Sequence, residues 1–241
     1  MRAKARHQLK EDRFSKTTMA VAEKTVDWST EHKRTVIVAG AALVVVIAAV
    51  FGGWYYYEKQ DAKASVEFGK ALQVMDEPLR AAGAPADPSM PSFASAKERA
   101  TEAHKQFQAI LDKYPHTHVA DFSHYFLGVT SADMGDNAAA ERELKIVAGY
   151  RNRNLSNLAK LALAGLYRDT NRTKDAVDTY NQIIAKPSET VTKGAAEIEL
   201  AKTYQAAGMT ADAKKQYEQI QKESPQTVAA QLAASKLQEL K

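Results

Sequence analysis

The chain has 241 residues, no cysteine, and 33 Lys/Arg against 29 Asp/Glu, a formal net charge of +4. The lack of cysteine excludes a disulfide framework and thiolate metal sites. Nine basic residues and five acids fall within residues 1–34, so residues 35–241 hold 24 of each and are neutral. That placement argues against a nucleic-acid-binding body and directs the basic end toward an anionic surface.

Residues 1–34 form a basic N-terminal tail with a weak helical pattern in Leu9, Phe14, Met19, Val21, Val26 and Trp28. The pattern suits a helix on a membrane surface or on a partner, and equally a partly ordered juxtamembrane tail. Residues 35–57, TVIVAGAALVVVIAAVFGGWYYY, are 23 residues without a charge. As a helix they span roughly 35 Å, against a hydrocarbon core of about 30 Å. Lys33 and Arg34 close one end, and Trp54, Tyr55, Tyr56 and Tyr57 close the other. Amphipathic rings suit the headgroup level, so these six residues are the expected membrane anchors of a transmembrane helix. A cleaved signal peptide is the rival, with a shorter charged region and a shorter apolar run than are present here. The basic tail places the N-terminus in the cytoplasm and the following domain across the membrane.

Residues 58–92 read as a juxtamembrane helix, with Phe68, Leu72 and Met75 on one face, followed by a linker or long loop. Residues 78–92 hold four of the seven prolines. From 93 to 241 the dominant feature is a repeat. Ala103/Phe107/Ile110, Ala140/Leu144/Val147, Ala176/Tyr180/Ile183 and Ala213/Tyr217/Ile220 share one i, i+4, i+7 pattern, and their large residues step by 37, 36 and 37. Each trio lies on one helical face. Gly135, Asn171 and Gly208 stand five residues before a repeat alanine, where a left-handed residue ends one helix before the next. Pro115, Pro187 and Pro225 follow in phase and stop the second helix. Leu127-Gly128, Leu163-Ala164 and Leu200-Ala201 supply large/small pairs for close helix approach, and Tyr167 and Tyr204 follow the last two. Segment 226–241, with Val228, Leu232 and Leu237 along one side, is expected to cap the last repeat.

This skeleton resembles the tetratricopeptide repeat (TPR): large/small pair, aromatic, turn Gly, small Ala, aromatic, closing Pro. Segments 157–190 and 194–227 match well. Segment 121–154 matches less closely, with Ser131 at the aromatic position and Asn152 at the proline position. The 36–37-residue spacing exceeds the usual period of about 34 and implies longer inter-repeat turns. The expected fold is therefore all-α: one N-terminal transmembrane helix, then a TPR-type α-solenoid with a C-terminal capping helix. By the same resemblance, first-helix residues line a protein-binding groove. By register the candidates are Phe122, Tyr125, Leu161, Arg168, Lys202 and Gln205.

Signatures of chemistry are lacking: there is no phosphate loop, GxSxG, HExxH or dinucleotide fingerprint. His116, His118 and His124 with Asp121 form the one histidine cluster, and they read as solvated turn residues rather than zinc ligands. Asp133 to Asn137 reads as a helix stop and start, not a calcium loop. No enzyme activity, cofactor, metal, nucleic acid or small-molecule substrate is expected. The repeat tyrosines Tyr167, Tyr180, Tyr204 and Tyr217 read as packing residues.

One helix followed by about three and a half TPRs is similar to the family of the ancillary SecYEG translocon subunit, grouped with cell-division-coordinator TPR domains. That resemblance implies a single-pass bacterial inner-membrane protein with a periplasmic TPR domain. Its partners would be translocon subunits, exported chains or other envelope proteins, and its role chaperone-like or scaffolding. A permanent structural subunit of a larger membrane complex is the alternative.

Overall fold

The computed structural model describes residues 32–81, 83 and 92–240. The basic tail up to residue 31 and most of the proline-rich stretch lie outside the described residues. Among the described residues nine α-helices follow in chain order: α1 (Lys33–Asp76), α2 (Ala96–Lys113), α3 (His118–Met134), α4 (Asn137–Ala148), α5 (Arg153–Asp169), α6 (Thr173–Ala185), α7 (Lys193–Ala206), α8 (Thr210–Glu223) and α9 (Val228–Glu239). Among the described residues the one β contact is an isolated bridge between Leu79 and Phe93. The chain divides into two compact units, residues 1–58 and 59–241, and α1 contributes to both.

In the first unit, α1 carries the apolar stretch, and no residue of its most apolar window is buried. It is the one helix among the described residues that is long and apolar enough to cross a membrane. Beyond residue 58 the same helix turns amphipathic. Ala64, Ala71 and Val74 are buried, with Phe68, Leu72 and Met75 packed beside them.

The second unit is a solenoid of helix pairs. The end of α1 pairs with α2, α3 with α4, α5 with α6 and α7 with α8, and α9 closes the stack against α7 and α8. Boundaries follow local chemistry. Thr117, Asn152 and Thr192 cap the first helices of successive pairs and Thr227 caps α9, each side chain accepting from a backbone N–H in the first turn. Gly135, Asn171 and Gly208 separate the two helices of each pair with φ of 86°, 59° and 73°. These are the three positions at which the sequence requires a left-handed residue. Helices α2, α6 and α8 end two residues before Pro115, Pro187 and Pro225.

Each repeat trio is buried: Ala103, Phe107 and Ile110; Ala140, Leu144 and Val147; Ala176, Tyr180 and Ile183; Ala213, Tyr217 and Ile220. Where the first pair meets α3, Phe68, Phe107 and Phe126 form an aromatic cluster, with ring centroids 5.0 to 5.5 Å apart. The segment before α2 is tied down at its ends. Arg80 N donates to Phe93 O at 2.8 Å, and Arg99 Nη1 donates to Glu77 O at 2.9 Å.

The capping helix differs in detail from the sequence expectation. Ala230 and Ala233 are its buried residues, with Ala229, Leu237 and Leu240 packed beside the last core cluster. Val228 is 81% exposed and Leu232 38% exposed. Small residues let α9 lie close on the stack: a Cβ on Gly194 would stand 2.9 Å from the Ala229 Cβ. The helix therefore rotates its alanine face inward and leaves the larger Val228 and Leu232 outside.

Candidate protein-binding groove

Helices α5, α7 and α9 lie side by side as the first helices of successive units. Between them runs a groove of about 570 Å³. Its apolar wall comes from Leu161 of α5, Ile198 of α7, and Val228 and Leu232 of α9. Gly165 leaves room on α5, and the Tyr180 ring reaches in from α6. Burial pushes the Tyr180 phenol up to about 12, so it stays neutral.

The polar end is an ion-pair chain across α5 and α7. Arg168 Nη1 donates to Glu199 Oε2 at 2.9 Å, and Lys202 Nζ donates to Glu199 Oε1 at 2.6 Å. Arg168 Nε donates to Asp169 at 3.1 Å. Burial favours the neutral form of Glu199, but the hydrogen bonds from Lys202 and Arg168 outweigh it and hold the carboxyl below its ordinary value. The groove thus presents apolar side chains beside charges that remain ionised at neutral pH.

Of the six residues singled out by register, the structure brings Leu161, Arg168 and Lys202 together in this groove. Phe122 and Tyr125 sit on α3, away from it. Phe122 is 40% exposed, 6.4 Å from the Phe68 ring, and Tyr125 is half-buried against Phe126 at 5.2 Å. Gln205 is exposed near the end of α7 and does not line the groove. Ile198 and Glu199 escaped the sequence reading. Ile198 was recoverable, since it stands 37 residues after Leu161, one repeat step. Glu199 was not, because its role depends on Arg168 reaching across from the neighbouring helix. Val228 and Leu232 were read as capping contacts and instead form groove wall.

The membrane-anchor candidates all lie on α1: Lys33 and Arg34 at its start, and Trp54, Tyr55, Tyr56 and Tyr57 toward the end of the apolar stretch, every one exposed. His124 Nδ1 lies 2.8 Å from Glu143 Oε2 of α4, and the His118 backbone N–H donates to Asp61. Among the described residues no group of three side chains could hold a metal ion. A second cavity, of about 560 Å³, opens at the loop edge near Asn152, Pro187 and Lys193. Lys193 there is already engaged by Glu223 at 2.6 Å and Glu197 at 3.4 Å.

Two solved structures share the architecture. One holds nearly identical TPR-like repeats from Podosopora anserina, described as a kinesin light chain. It has a TM-score of 0.55 at 16% identity and covers 75% of this chain and 86% of that one. A point variant of the same repeats gives the same TM-score and identity, covering 75% of this chain and 85% of its own. At such identity the likeness shows the fold alone. No curated protein matches the sequence. Residues 26–241 match the family model of the tetratricopeptide repeat-like domain. Repeats of this kind typically form extended concave surfaces for protein–protein interaction. The chain therefore belongs to the tetratricopeptide repeat-like domain family.

Proposed function

We propose that this protein is a membrane-anchored interaction module that holds segments of other proteins in the groove of α5, α7 and α9, at a protein-translocation or envelope-assembly complex. The observation that carries the reading is the exposure of Val228 and Leu232 toward the groove. A free-standing solenoid would gain by burying two such side chains, at about 25 cal/mol per Å² of apolar surface. Their exposure beside Leu161 and ionised Arg168 and Lys202 fits an interface with an apolar centre and a polar rim.

The anchor is the apolar stretch 35–57, which lies within the same family match as the repeats. Its length, the basic residues before it and the aromatic residues at its end support a single-pass helix with the N-terminus cytoplasmic and the repeats on the far, periplasmic side. Residues 1–34 then form the cytoplasmic tail, 58–92 the juxtamembrane helix and linker, and 93–241 the repeat domain. Phe122 and Tyr125 extend the candidate surface along α3, and Gln205 along α7.

Photoreactive residues at Tyr125 and Lys202, crosslinked in living cells and analysed by mass spectrometry, test the proposal. Adducts with translocon subunits or with varied exported chains are the expected result. A single constant partner unconnected with secretion would overturn the translocation reading and leave a dedicated structural subunit.

A further inference from the structure

Among the described residues Glu197 of α7 is the one charged residue that is buried. Its side chain is 7% exposed, and its ion-pair partner is Lys193, one turn earlier on the same helix, with Nζ 3.4 Å from Oε1. Glu223 of α8 holds the same ammonium at 2.6 Å and also accepts from Gln219 at 2.7 Å. Two carboxylates thus share one cation, and the buried one has the longer contact. Burial is the main influence on the Glu197 carboxyl and pushes it above its ordinary value; Lys193 offsets part of this, and the charge of Glu223 adds to it.

The cluster lies where the end of the solenoid is seated. Lys193 adjoins Gly194, whose Cβ would stand 2.9 Å from the Ala229 Cβ of α9, and Glu223 is the last residue of α8 before the turn into α9. Other charges on the elements packed against α7 are engaged or in water. Arg168 of α5 is held by Glu199, Asp175 of α6 by Arg172 and Lys236 of α9 by Glu239. Lys174 and Asp178 of α6 and Lys222 of α8 are exposed. The sequence has no histidine from residue 125 onward, so no imidazole titrates in these repeats.

We infer that Glu197 is an acid-tightened latch: mild acid neutralises the buried carboxylate and seats α8 and α9 firmly on α7, whereas neutral pH leaves this end of the stack the first to open. With the folded-state value above the unfolded one, the contribution is fully present below the ordinary carboxylate range. It is lost as pH rises through the folded value. Glu199 and Glu223, held below their ordinary values, act in the opposite sense, but only below the ordinary carboxylate range. Because α9 carries Val228 and Leu232, the same step firms one wall of the groove. The latch does not depend on what the groove binds.

Hydrogen–deuterium exchange of the full-length protein in detergent micelles, read by mass spectrometry at about pH 5 and about pH 7.5, tests the inference. Rates are corrected for the chemical pH dependence of exchange, so that protection is compared. Protection of α8 and α9 should be several-fold higher at the lower pH, while α5 and α6 change by less than about twofold. Glu197→Gln should give α8 and α9 the higher protection at both pH values, since Lys193 keeps Glu223 as its partner. Equal protection of α8 and α9 at the two pH values in the parent would overturn the inference. So would an equal gain in α5, which would make the effect one of the whole stack. A Glu197→Gln variant less protected than the parent at the higher pH would also overturn it, by showing that the ion pair with Lys193 outweighs the cost of burial.

Discussion

At Gly128 the absence of a side chain lets α3 and α4 meet. A Cβ there would stand 2.7 and 2.8 Å from Leu144 Cγ and Cδ2 and 3.3 Å from its backbone nitrogen. Leu144 is fully buried and cannot swing aside. Alanine would gain about 1 kcal/mol of helix propensity but overpack at a cost of about 1–3 kcal/mol. Gly128→Ala is therefore expected to lower Tm by several degrees; an unchanged or raised Tm would show that the helices can separate freely. Tyr217 presents the opposite situation. Its ring is buried, and its hydroxyl is buried without a hydrogen-bond partner among the described residues. An unpaired buried hydroxyl costs free energy, so Tyr217→Phe should be neutral or stabilising by up to about 1 kcal/mol. A clear loss in a denaturant titration would mean that the hydroxyl has an acceptor. The Leu127-Gly128 pair is legible in the sequence as a large/small step, whereas the unpaired hydroxyl is not, since partners come from other helices.

Between elements, one carboxylate joins two repeats. Glu141 on α4 accepts from Lys145 at 2.7 Å, from Arg172 at 2.6 Å and from the Tyr167 hydroxyl at 3.1 Å, and the Arg172 guanidinium sits 4.2 Å over the Tyr167 ring. Lys145 first, then Arg172, hold the Glu141 carboxyl down at about 2, against the partial opposition of burial. A folded-state value below the unfolded one means that this contribution is fully present above the ordinary carboxylate range. It is lost as pH falls through about 2. Glu141→Gln should cost about 1 kcal/mol at pH 7, since Arg172 and Lys145 remain substantially exposed. The difference between variant and parent should shrink as the pH of a urea titration is lowered from about 5 toward 2. A difference independent of pH would assign the loss to packing. At the C-terminal element, exposure separates two kinds of substitution. Val228→Ser should change stability by less than about 0.5 kcal/mol, whereas Ala233→Leu, on the buried face of α9, should cost about 1–3 kcal/mol.

For the whole molecule, a stack in which each helix pair touches its neighbours predicts that distant costs add. Gly128 and Ala233 lie in contact with different core clusters, so Gly128→Ala and Ala233→Leu should combine within about 0.5 kcal/mol in a double variant. A larger discrepancy would reveal coupling across the intervening repeats. The proposed anchor gives a separate test. Full-length protein should stay with the membrane pellet after alkaline carbonate washing, and deletion of residues 35–57 should move it to the supernatant. Recovery of the full chain in the supernatant would overturn the anchor.

The sequence by itself determined the helical class, the repeat register and the helix ends. These depend on residues near in the chain: the i, i+4, i+7 trios, the left-handed Gly135, Asn171 and Gly208, and the closing prolines. It also placed Leu161, Arg168 and Lys202 on the first helices that form the groove, because the repeat carries position from one pair to the next. The tertiary structure alone decided which way α9 turns and what Glu199 does. The first follows from alanines packing closer than Val228 and Leu232 could, as the 2.9 Å approach at Gly194 shows. The second needs Arg168 and Lys202 to converge from two helices on one carboxylate, a contact between residues 31 positions apart that no local pattern encodes.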